Sequence, residues 1–588
     1  LTTMKKYLLV LAGLYCVLSY ALAEHPDYPE LKKSDANIIG HVLDKKTKEH
    51  LPYITIALKG TTIGTVTDAT GHYFLKNLPE GNFILEVSSV GYKTVTRNVT
   101  LKKGKTLEED FEIEEDAIAL DGVVVSANRS ETTRRLAPTL VNVVDLKLFE
   151  TTNSSTLSQG LNFQPGVRVE TNCQNCGFQQ VRINGLDGPY TQILIDSRPV
   201  FSALSGVYGL EQIPASMIER VEVMRGGGSA LFGSSAIAGT INIITKEPLR
   251  NSGQLSHTLT ALGGGSSFDN NTSLNASLVT DDHRAGLYIF GQNRHRSGYD
   301  YDGDGFTELP KLKNQTVGFR SYLKTSTYSK LTFEYHHMQE FRRGGDMLDR
   351  PPHEAHIAEQ LQHSIDGGSL KFDYFSPDEK NRLSIFASAA NTDRDSYYGP
   401  GNDPLKAYGK TTDLTAMGGA QYVHTFDKCF FMPSDLTAGL EYNRDRLKDN
   451  MWGYDRHTDQ TVNIYSAFLQ NEWKNDRWGI LIGGRLDKHN MVDNVIFSPR
   501  ANLRFNPTQN INLRLSYSSG FRAPQAFDED MHIENVGGTV AMIERAKNLK
   551  EEKSQSFSAS ADMYHRFGVF QTNFLIEGFY TRLTDVFV

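Results

Sequence analysis

The sequence predicts a mainly β protein made of an N-terminal β-sandwich, a smaller α+β unit and a transmembrane antiparallel β-barrel. Three patterns support this fold class. Short β-prone runs alternate with turns near the N-terminus, a strand, a glycine turn and a second strand follow in the middle, and long alternations of apolar and polar residues fill residues 249–588. Because alternation with a period of two is a property of strands, β-structure is expected to dominate.

Composition narrows the classes of protein to which the chain can belong. It has 588 residues, of which 39% are hydrophobic, and a net charge of -8 without a basic block, which argues against nucleic acid as a partner. Beyond the N-terminus no run of 18 or more apolar residues occurs, which argues against membrane-spanning helices. The composition is compatible with a membrane-spanning β-barrel, because the lumen-facing residues of such a barrel are polar. The four cysteines are too few for a fold built on disulfides.

The first 23 residues have the pattern of a secretory signal peptide. Two lysines at positions 5 and 6 precede an apolar run over residues 7–17, and the sequence Ala-Leu-Ala ends at position 23 as a small-x-small cleavage site. Export would place the remaining residues in the periplasm, in the outer membrane or outside the cell.

Residues 37–115 are predicted to form the β-sandwich. β-Prone runs occur at residues 38–43, 53–58 and 83–87, with turn signals between them. A strand about every ten residues is typical of a small sandwich. The unit resembles carboxypeptidase-regulatory-like domains in its motifs Gly-Thr-Val-Thr-Asp-Ala-Thr-Gly at 64–71, Leu-Pro-Glu-Gly at 78–81 and Val-Gly-Tyr at 90–92. That resemblance implies a structural or docking module in the periplasm rather than an enzyme.

Residues 218–246 predict a strand, a tight turn, a short helix or turn, and a second strand. Val221 and Val223 are β-branched residues on alternate positions of the first strand, and three isoleucines at positions 241, 243 and 244 mark the second. Three consecutive glycines at positions 226–228 cannot form the interior of a helix, so they make the tight connection.

The last part of the chain has the alternation of barrel strands. Leu331, Phe333 and Tyr335 fall on one face of a strand with polar residues on the other, and residues 511–518 repeat the pattern. Alternating segments number about 15. The short connections predicted at the periplasmic side are residues 280–283, 376–380, 474–477 and 506–509. The long connections predicted at the extracellular side are residues 294–316, 340–362, 391–410 and 519–553.

The middle of the chain resembles the plug domain of TonB-dependent outer-membrane receptors. Four motifs stand in the family's order: Gln-Pro-Gly-Val at 164–167, Val-Arg-Ile-Asn-Gly at 181–185, Gln-Ile-Leu-Ile-Asp-Ser-Arg-Pro at 192–199, and residues 218–246. In this chain the motif residues are Arg182, Gly185, Asp196, Arg225 and Gly226. Four motifs in order are a far more specific signal than one glycine loop.

The resemblance implies a plug over residues 138–248 and a receptor barrel over residues 249–588. Barrels of this kind have about 22 strands, so the roughly 15 segments found here predict an incomplete barrel that lacks about seven. The implied location is the outer membrane of a Gram-negative cell, in contact with lipid, with the N-terminal domain in the periplasm.

A linker at residues 116–137 contains a candidate TonB box. Its residues are Val123, Val124, Val125, Ser126 and Ala127. Three consecutive valines in a polar linker favour an extended segment, which can add as a strand to the sheet of another protein. Spacing alone fits an ordinary sheet strand equally well, and the plug that follows favours the box. The implied partner is TonB of the TonB–ExbB–ExbD complex.

Cys173 and Cys176 form a CxxC motif inside the plug. Such spacing suits a metal or redox site, but two ligands do not complete a tetrahedral zinc site. A local disulfide, inert thiols, a metal site that contacts the substrate and a redox pair all remain open.

Two groups of loop residues are candidate ligands. His353 and His356 lie in a histidine-rich outer region and could contact haem or a metal, or could simply be solvated. His532 lies between Gly-Phe-Arg-Ala-Pro at 520–524 and Asn-Leu-Lys-Glu-Glu-Lys-Ser at 548–554, where haem receptors of the resembled family place a histidine.

A further loop carries three carboxylates at a spacing of two residues. Asp300, Asp302 and Asp304 precede a glycine that allows a sharp turn, which suits Ca²⁺. Position 12 of an EF-hand loop would be Lys311 rather than Glu, so a modified calcium loop and a plain acidic turn are both open. No other cofactor is expected.

These observations predict a TonB-dependent active transporter of a metal chelate, with ferric siderophore as the first choice. Haem, cobalamin and a transition metal are the alternatives for the cargo. The alternative of another class is a surface protein that binds a ligand but does not transport it, and a surface lipoprotein is a further candidate partner. The sequence offers no catalytic constellation, so an enzyme is not predicted.

Overall fold

The computed structural model describes residues 33–587 except residues 69, 90–91, 116–121, 174, 200–212, 281–282, 401–406, 537–538, 544–545, 547–548 and 569. The predicted signal peptide (residues 1–23) and the start of the predicted linker (residues 116–121) lie outside the described residues. Strands dominate the described chain, and the predicted mainly β fold is confirmed. Among the described residues, no helix has the length and apolarity that a membrane crossing needs.

The N-terminal domain is the predicted β-sandwich. Its strands are β1 (Lys33–Asp44), β2 (Thr55–Leu58), β3 (Gly64–Val66), β4 (His72–Pro79), β5 (Gly81–Ser88), β6 (Val95–Leu101), β7 (Thr106–Glu108) and β8 (Phe111–Ile113). One sheet has the order β4-β1-β7, with β8 also paired to β1, and the other has the order β3-β2-β5-β6. Ile38, Val42, Ile56 and Leu85 are fully buried between the sheets because they occupy inward-facing alternate positions.

A short hairpin and the α+β plug follow the sandwich. The hairpin strands are β9 (Val123–Val124) and β10 (Thr132–Thr133). The plug elements are β11 (Val141–Asp145), α1 (Leu146–Thr151), α2 (Leu157–Leu161), β12 (Val167–Cys173), β13 (Phe178–Ile183), β14 (Thr191–Ile195), β15 (Ile218–Arg225), α3 (Ser229–Phe232) and β16 (Gly239–Thr245). Four of these strands form a mixed sheet in the order β11-β15-β16-β14, and β12 and β13 form a separate hairpin.

The predicted strand, glycine turn, short helix and strand of residues 218–246 are confirmed as β15, a turn, α3 and β16. The turn requires glycine because Gly226 has a φ of 83°. Val221, Val223, Ile241 and Ile243 are fully buried in the plug core, as their β-branched pattern indicates.

The remaining described residues form one antiparallel sheet of 15 strands, in agreement with the predicted number. Its strands are β17 (Ser252–Leu262), β18 (Ser267–Val279), β19 (Ala285–Arg296), β20 (Lys311–Ser326), β21 (Ser329–Gly345), β22 (Ile357–Phe375), β23 (Asn381–Pro400), β24 (Tyr408–Cys429), β25 (Met432–Met451), β26 (Arg456–Lys474), β27 (Trp478–His489), β28 (Ile496–Thr508), β29 (Ile511–Arg522), β32 (Glu552–Phe567) and β33 (Phe570–Thr584). Helix α4 (Asp528–Met531) and the strands β30 (Glu534–Val536) and β31 (Thr539–Ala541) lie between β29 and β32.

The long strands alternate between an apolar outer face and an inner face that is mostly polar. On β29, Leu513 and Leu515 are exposed, whereas Asn512 and Arg514 are buried. This is the arrangement that the sequence alternation predicts, because one face meets lipid and the other lines the interior.

The connections at the two edges of the sheet differ in length. Three of the four predicted short connections, residues 376–380, 474–477 and 506–509, are confirmed as brief turns between paired strands, and residues 281–282 of the fourth lie outside the described residues. The four predicted long connections are shorter than expected, because the flanking strands continue into them; β21, for example, runs to Gly345 and β22 starts at Ile357. Backbone pairing extends beyond the apolar belt, which is the only part of a strand that the alternation marks.

The plug contacts the inner face of strands that are far apart in the sheet. Asp196 of the plug pairs with Arg320 of β20 at 2.5 Å, and Arg225 of the plug pairs with Glu577 of β33 at 2.8 Å. At the edge with the long connections, the plug loop after β12 touches β21, because a Cβ on Gly344 would lie 1.8 Å from the carbonyl oxygen of Asn175.

The close contact at Gly344 gives a prediction about how the plug is seated. Gly344→Ala should displace the plug loop, lower the unfolding temperature by an amount consistent with about 1–3 kcal/mol of overpacking, and make the buried thiol of Cys176 available to alkylation. Thermal unfolding and mass spectrometry after alkylation measure both effects. Gly253→Ala is the matched control, since its Cβ would meet nothing within 4 Å. An unchanged unfolding temperature with Cys176 still protected would contradict the contact.

Candidate functional site

Four potential ligands from three parts of the chain meet where the plug touches the barrel. Cys173 ends β12 and Cys176 lies in the turn that leads to β13. Glu359 comes from the start of β22, and His532 follows α4 in the loop before β30. Their sulfur, oxygen and nitrogen ligand atoms all lie within 4.8 Å of one another. We call these four residues the apex cluster.

The distances within the apex cluster are those of direct contacts. Sγ of Cys173 lies 3.1 Å from Oε2 of Glu359, and Sγ of Cys176 lies 3.3 Å from Nε2 of His532. The same nitrogen of His532 lies 3.4 Å from Oε2 of Glu359. The two thiols are not joined in a disulfide in this arrangement.

The backbone of the plug turn aims the two thiols at the barrel wall. The N–H of Cys176 donates to Sγ of Cys173 at 3.4 Å, and the N–H of Gly177 donates to the carbonyl of Cys173 at 3.0 Å. Gly177 has a φ of 68°, a left-handed conformation in which glycine carries no steric penalty. Arg342 of β21 donates to the carbonyl of Gly177 at 3.3 Å and so ties the turn to the wall.

Apolar and aromatic side chains enclose the apex cluster. The rings of Phe178 and Tyr398 each lie 5.3 Å from the imidazole of His532. Leu361 and Met451 are fully buried in the same hydrophobic group as Cys176. Only 9% of the His532 side chain and 3% of the Glu359 side chain remain exposed, so the polar atoms of the cluster meet one another rather than water.

Electrostatics inside the cluster favour a thiolate beside an imidazolium. Hydrogen bonding from Cys176, followed by that from His532, outweighs burial and lowers the pKa of Cys173 to about 7. Burial disfavours the charged form of His532, but its hydrogen bonds to Cys173 and Glu359 prevail and raise its pKa to about 10. A low-pKa thiolate is both a strong nucleophile and a good metal ligand.

Sequence patterns marked three of the four members, and Glu359 was missed. Cys173 and Cys176 are marked by their spacing, and His532 by its position between two motifs. Glu359 is one carboxylate among many on the inner faces of strands, so only the register of β22 against the plug distinguishes it.

Structure separates the other candidate histidines from the apex cluster. Nδ1 of His353 lies 2.9 Å from the hydroxyl of Tyr408, and Nδ1 of His356 lies 2.6 Å from Oδ2 of Asp346. In the described part of the chain, neither belongs to a group of three or more potential metal ligands. Their role as ligands stays a prediction.

The three aspartates of the candidate calcium loop lie together between β19 and β20. Their carboxylate oxygens fall within 4.8 Å of one another. Asp300 accepts the N–H groups of Gly303 at 2.7 Å and Gly305 at 2.9 Å, and Asp302 and Asp304 accept further N–H groups of the same turn. The loop is therefore shaped by its own hydrogen bonds, and calcium binding stays a prediction.

The plug motif residues hold the plug together and to the wall. Besides its pairing with Arg320, Asp196 accepts the N–H of Thr245 at 3.1 Å. Arg182 pairs with Glu170 and Asp187 within the plug. Gly185 has a φ of 81° in the turn after β13, and Gly226 forms the turn after β15 that follows Arg225.

The candidate TonB box is clasped by one carboxylate of the plug sheet, and the residue that follows it, Asn128, donates to Glu472 at 2.6 Å near the short connection at residues 474–477. Oε2 of Glu222 accepts the N–H groups of Val125 and Ser126, each at 2.9 Å, and the hydroxyl of Ser126 at 2.7 Å. Glu222 lies on β15 and is fully buried. The carbonyl of Ala127 accepts a hydrogen bond from Arg500 of β28 at 3.0 Å.

We call residues 123–127 the box segment. Side-chain packing holds it in place in addition to the hydrogen bonds to Glu222. Val123 and Val124 pair with β10, and the side chain of Val124 is fully buried against Leu194 and Met224. The box segment therefore lies against the plug sheet and is sheltered from solvent in this structure.

The shifted pKa of Cys173 gives a prediction about its reactivity. Alkylation by iodoacetamide follows the thiolate, so its rate at Cys173 should reach half of its maximum near pH 7, rather than near the ordinary value of about 8.5. His532→Ala removes a stabilising hydrogen bond and should move this midpoint to higher pH, whereas His353→Ala should leave it in place. Mass spectrometry of the metal-free, reduced receptor over a pH series measures the rates. The same midpoint in wild type and His532→Ala would refute the proximity of the two groups.

Comparisons with known proteins agree with this architecture. Family models match three consecutive regions: a CarboxypepD_reg-like domain at residues 38–125, a TonB-dependent Receptor Plug Domain at residues 133–240 and a TonB dependent receptor-like β-barrel at residues 240–588.

Curated relatives include two vitamin B12 transporters named BtuB. That of Vibrio vulnificus strain CMCP6 is 25% identical over 424 residues, which cover 69% of this chain and 64% of the relative. That of Vibrio vulnificus strain YJ016 is 29% identical over 237 residues, which cover 36% of this chain and 39% of the relative. The chain thus spans less than two thirds of the length of either relative.

Similar solved structures share the fold at low sequence identity. The siderophore receptor PirA from Acinetobacter baumannii has a TM-score of 0.62 and 18% identity over 76% of this chain and 78% of the other. A mutant of the ferric enterobactin receptor PfeA from Pseudomonas aeruginosa has a TM-score of 0.61 and 18% identity over 74% and 70%. Since the barrel model alone matches more than half of the chain, this protein belongs to the TonB-dependent receptor β-barrel family of the outer membrane.

Proposed function

We propose that this protein is a TonB-dependent active importer that carries a metal-bearing cargo across the outer membrane. One observation carries the proposal: a single plug presents the apex cluster at the edge with long connections and holds the box segment on another side, where the adjoining Asn128 donates to Glu472 near a short connection. Long barrel connections face the cell exterior and short ones face the periplasm. Cargo would therefore meet the cluster from outside, and TonB would meet the box segment from inside.

In this mechanism no covalent bond of the cargo is made or broken. Cargo binds at the apex, the box segment leaves its clasp, and TonB pairs with it as an added strand. Energy from the inner membrane then pulls the plug away from its seat. The charged contacts of Asp196 and Arg225 with the barrel wall are among those that this displacement has to break.

For the cargo we propose a metal chelate. Ferric siderophore remains the first choice, and the similar solved structures named as siderophore receptors support it. The curated relatives named as vitamin B12 transporters support cobalamin as the second choice. A further observation favours metal over a metal-free nutrient: the apex cluster consists of two thiols, an imidazole and a carboxylate, which are metal-binding groups.

Glu222 is the residue whose change should release the box segment. Glu222→Ala removes one acceptor of two N–H groups and one hydroxyl, and hydrogen bonds to a charged group contribute about 1.5–3 kcal/mol each. Amide hydrogen exchange at Val125 and Ser126 should therefore accelerate by at least about tenfold. Glu219→Ala, on the same strand but outside the clasp, is the control. Equal exchange in both variants would show that the carboxylate does not hold the segment.

Removal of the box segment tests transport itself. A receptor without residues 123–127 should bind its cargo with unchanged affinity but lose uptake, because the step that fails is engagement of TonB. Uptake of labelled cargo by whole cells and binding to purified receptor are measured side by side. A receptor in which five serines replace residues 123–127 is the length-matched comparison. Full uptake by the deleted receptor would refute transport that depends on TonB engaging this segment. Binding without uptake by the intact receptor would instead favour a surface protein that binds without transporting.

A further inference from the structure

We propose that the apex cluster is a four-ligand binding site for a transition-metal ion of the Zn²⁺ class, and that this ion, rather than the ferric siderophore that the comparisons favour, is the cargo. The inference rests on the proposed function for the movement of the ion, and on geometry alone for its binding. The ion would arrive bare or by exchange from a weak carrier, and Cys173, Cys176, Glu359 and His532 would bind it directly.

Three of the six distances between ligand atoms are close to the edges of a tetrahedral site, and the other three lie within 4.8 Å. Zinc forms bonds of about 2.3 Å to sulfur and about 2.0 Å to nitrogen or oxygen. In a tetrahedron these bonds place a sulfur about 3.5 Å from a nitrogen or oxygen ligand, and a nitrogen about 3.3 Å from an oxygen ligand. The contacts from Cys173 to Glu359 and from Cys176 to His532 are 3.1 and 3.3 Å, and that from His532 to Glu359 is 3.4 Å. Shifts of a few tenths of an ångström would admit the ion.

The ligand set selects the class of metal. Two thiolates and an imidazole suit Zn²⁺ and its neighbours, whereas Ca²⁺ and Mg²⁺ require oxygen ligands. A ferric ion fully enclosed by a siderophore has no free position for these groups. On binding, the thiols and the His532 imidazolium would release their protons. The two resulting thiolates and the carboxylate would supply negative charge in a nearly dry site, which a divalent cation offsets.

The site is divided between the two bodies that transport would separate. The plug contributes the two cysteines, and the barrel and its loop contribute Glu359 and His532. The contacts of Asn175 with Gly344 and of Gly177 with Arg342 fix the half on the plug against the wall. Withdrawal of the plug would therefore reduce the ligand number from four to two, weaken the binding, and release the ion toward the opened path.

The His532 imidazole is held in place by two aromatic side chains that pack against it. The rings of Phe178 and Tyr398 each lie 5.3 Å from the His532 imidazole, with interplanar angles of 55° and 79°. Phe178 belongs to the plug and Tyr398 to β23, so the imidazole is oriented only while the plug is seated.

Metal binding by the full receptor, purified in detergent and reduced, tests the site. Zn²⁺ is titrated against a chromophoric chelator, and Co²⁺ is used as a spectroscopic probe for thiolate ligation. We expect one ion per receptor and a thiolate-to-cobalt absorption band. Cys173→Ser with Cys176→Ser should remove the band and weaken Zn²⁺ binding at least about 100-fold, and Glu359→Gln or His532→Ala should weaken it about 10-fold or more.

Matched variants separate the site from unspecific binding. Cys429→Ser removes a free thiol outside the cluster, and His257→Ala removes a histidine of β17 that contacts Thr272; both should bind Zn²⁺ as wild type does. The proposal is overturned if the double cysteine variant binds Zn²⁺ as tightly as wild type does. It is also overturned if the two thiols are joined in a disulfide in the isolated receptor.

Uptake distinguishes a failure of the site from a failure of the import mechanism. Cells are given radioactive zinc, ferric siderophores or cobalamin, with the receptor intact or without residues 123–127. Cluster-dependent zinc binding with zinc uptake that ignores the deletion would refute TonB-dependent import but leave the site. Deletion-sensitive uptake of a siderophore or cobalamin, with no zinc binding, would refute the site but leave the import mechanism. Zinc uptake lost in both the deletion and the cysteine variant would support the two together.

Discussion

The polar inner face of the barrel is the constraint on which the rest of the structure depends. A buried charge without a partner costs about 3–5 kcal/mol, so each buried arginine needs an acidic or carbonyl neighbour. Within the wall, Arg294 pairs with Asp269 and Arg342 pairs with Glu340. Elsewhere the plug and the segment before it supply the partner, as Asp196 does for Arg320. The plug is therefore part of the electrostatic completion of the barrel.

Such charge pairs define one position of the plug inside the barrel but still allow the plug to move. Arg485 and Arg129 share the carboxylate of Glu441, and Arg485 also pairs with Asp487. A shift of the chain by one residue would leave these charges unmatched. Water that enters a partly opened interior can, however, hydrate polar groups in turn, whereas a continuous apolar interface would gain nothing from it. A polar interface thus suits a plug that must be both well placed and movable.

Local sequence patterns were sufficient to predict the type of several secondary-structure elements of this fold. Alternation along residues 511–518 predicts which side of β29 faces outward, and the glycines at 226–228 predict the break between β15 and α3. The ends of the strands could not be predicted in this way. Backbone pairing of β21 and β22 continues past the membrane belt, where side chains no longer have to alternate.

The candidate site was predictable only in pieces. Cys173 and Cys176 carry a spacing signal, but nothing local indicates that Glu359 or His532 would meet them, since these contacts depend on strand register and on a distant loop. Conversely, His353 and His356 are close in sequence and yet contact different partners, Tyr408 and Asp346. Proximity along the chain is a weak guide on irregular loops, where neighbouring side chains are free to diverge.

A site assembled across a movable boundary differs in kind from one contained in a single domain. Had all four ligands belonged to the plug, the ion would travel with it and stay bound; had all four belonged to the wall, motion of the plug would not affect it. Division of the ligands between the two makes affinity a function of plug position, because multidentate binding is lost when half of the ligands leave. The same body carries Glu222, which clasps the box segment. Movement that begins at the box segment is thereby coupled to the loss of coordination at the apex, without any conformational relay beyond the rigid plug itself.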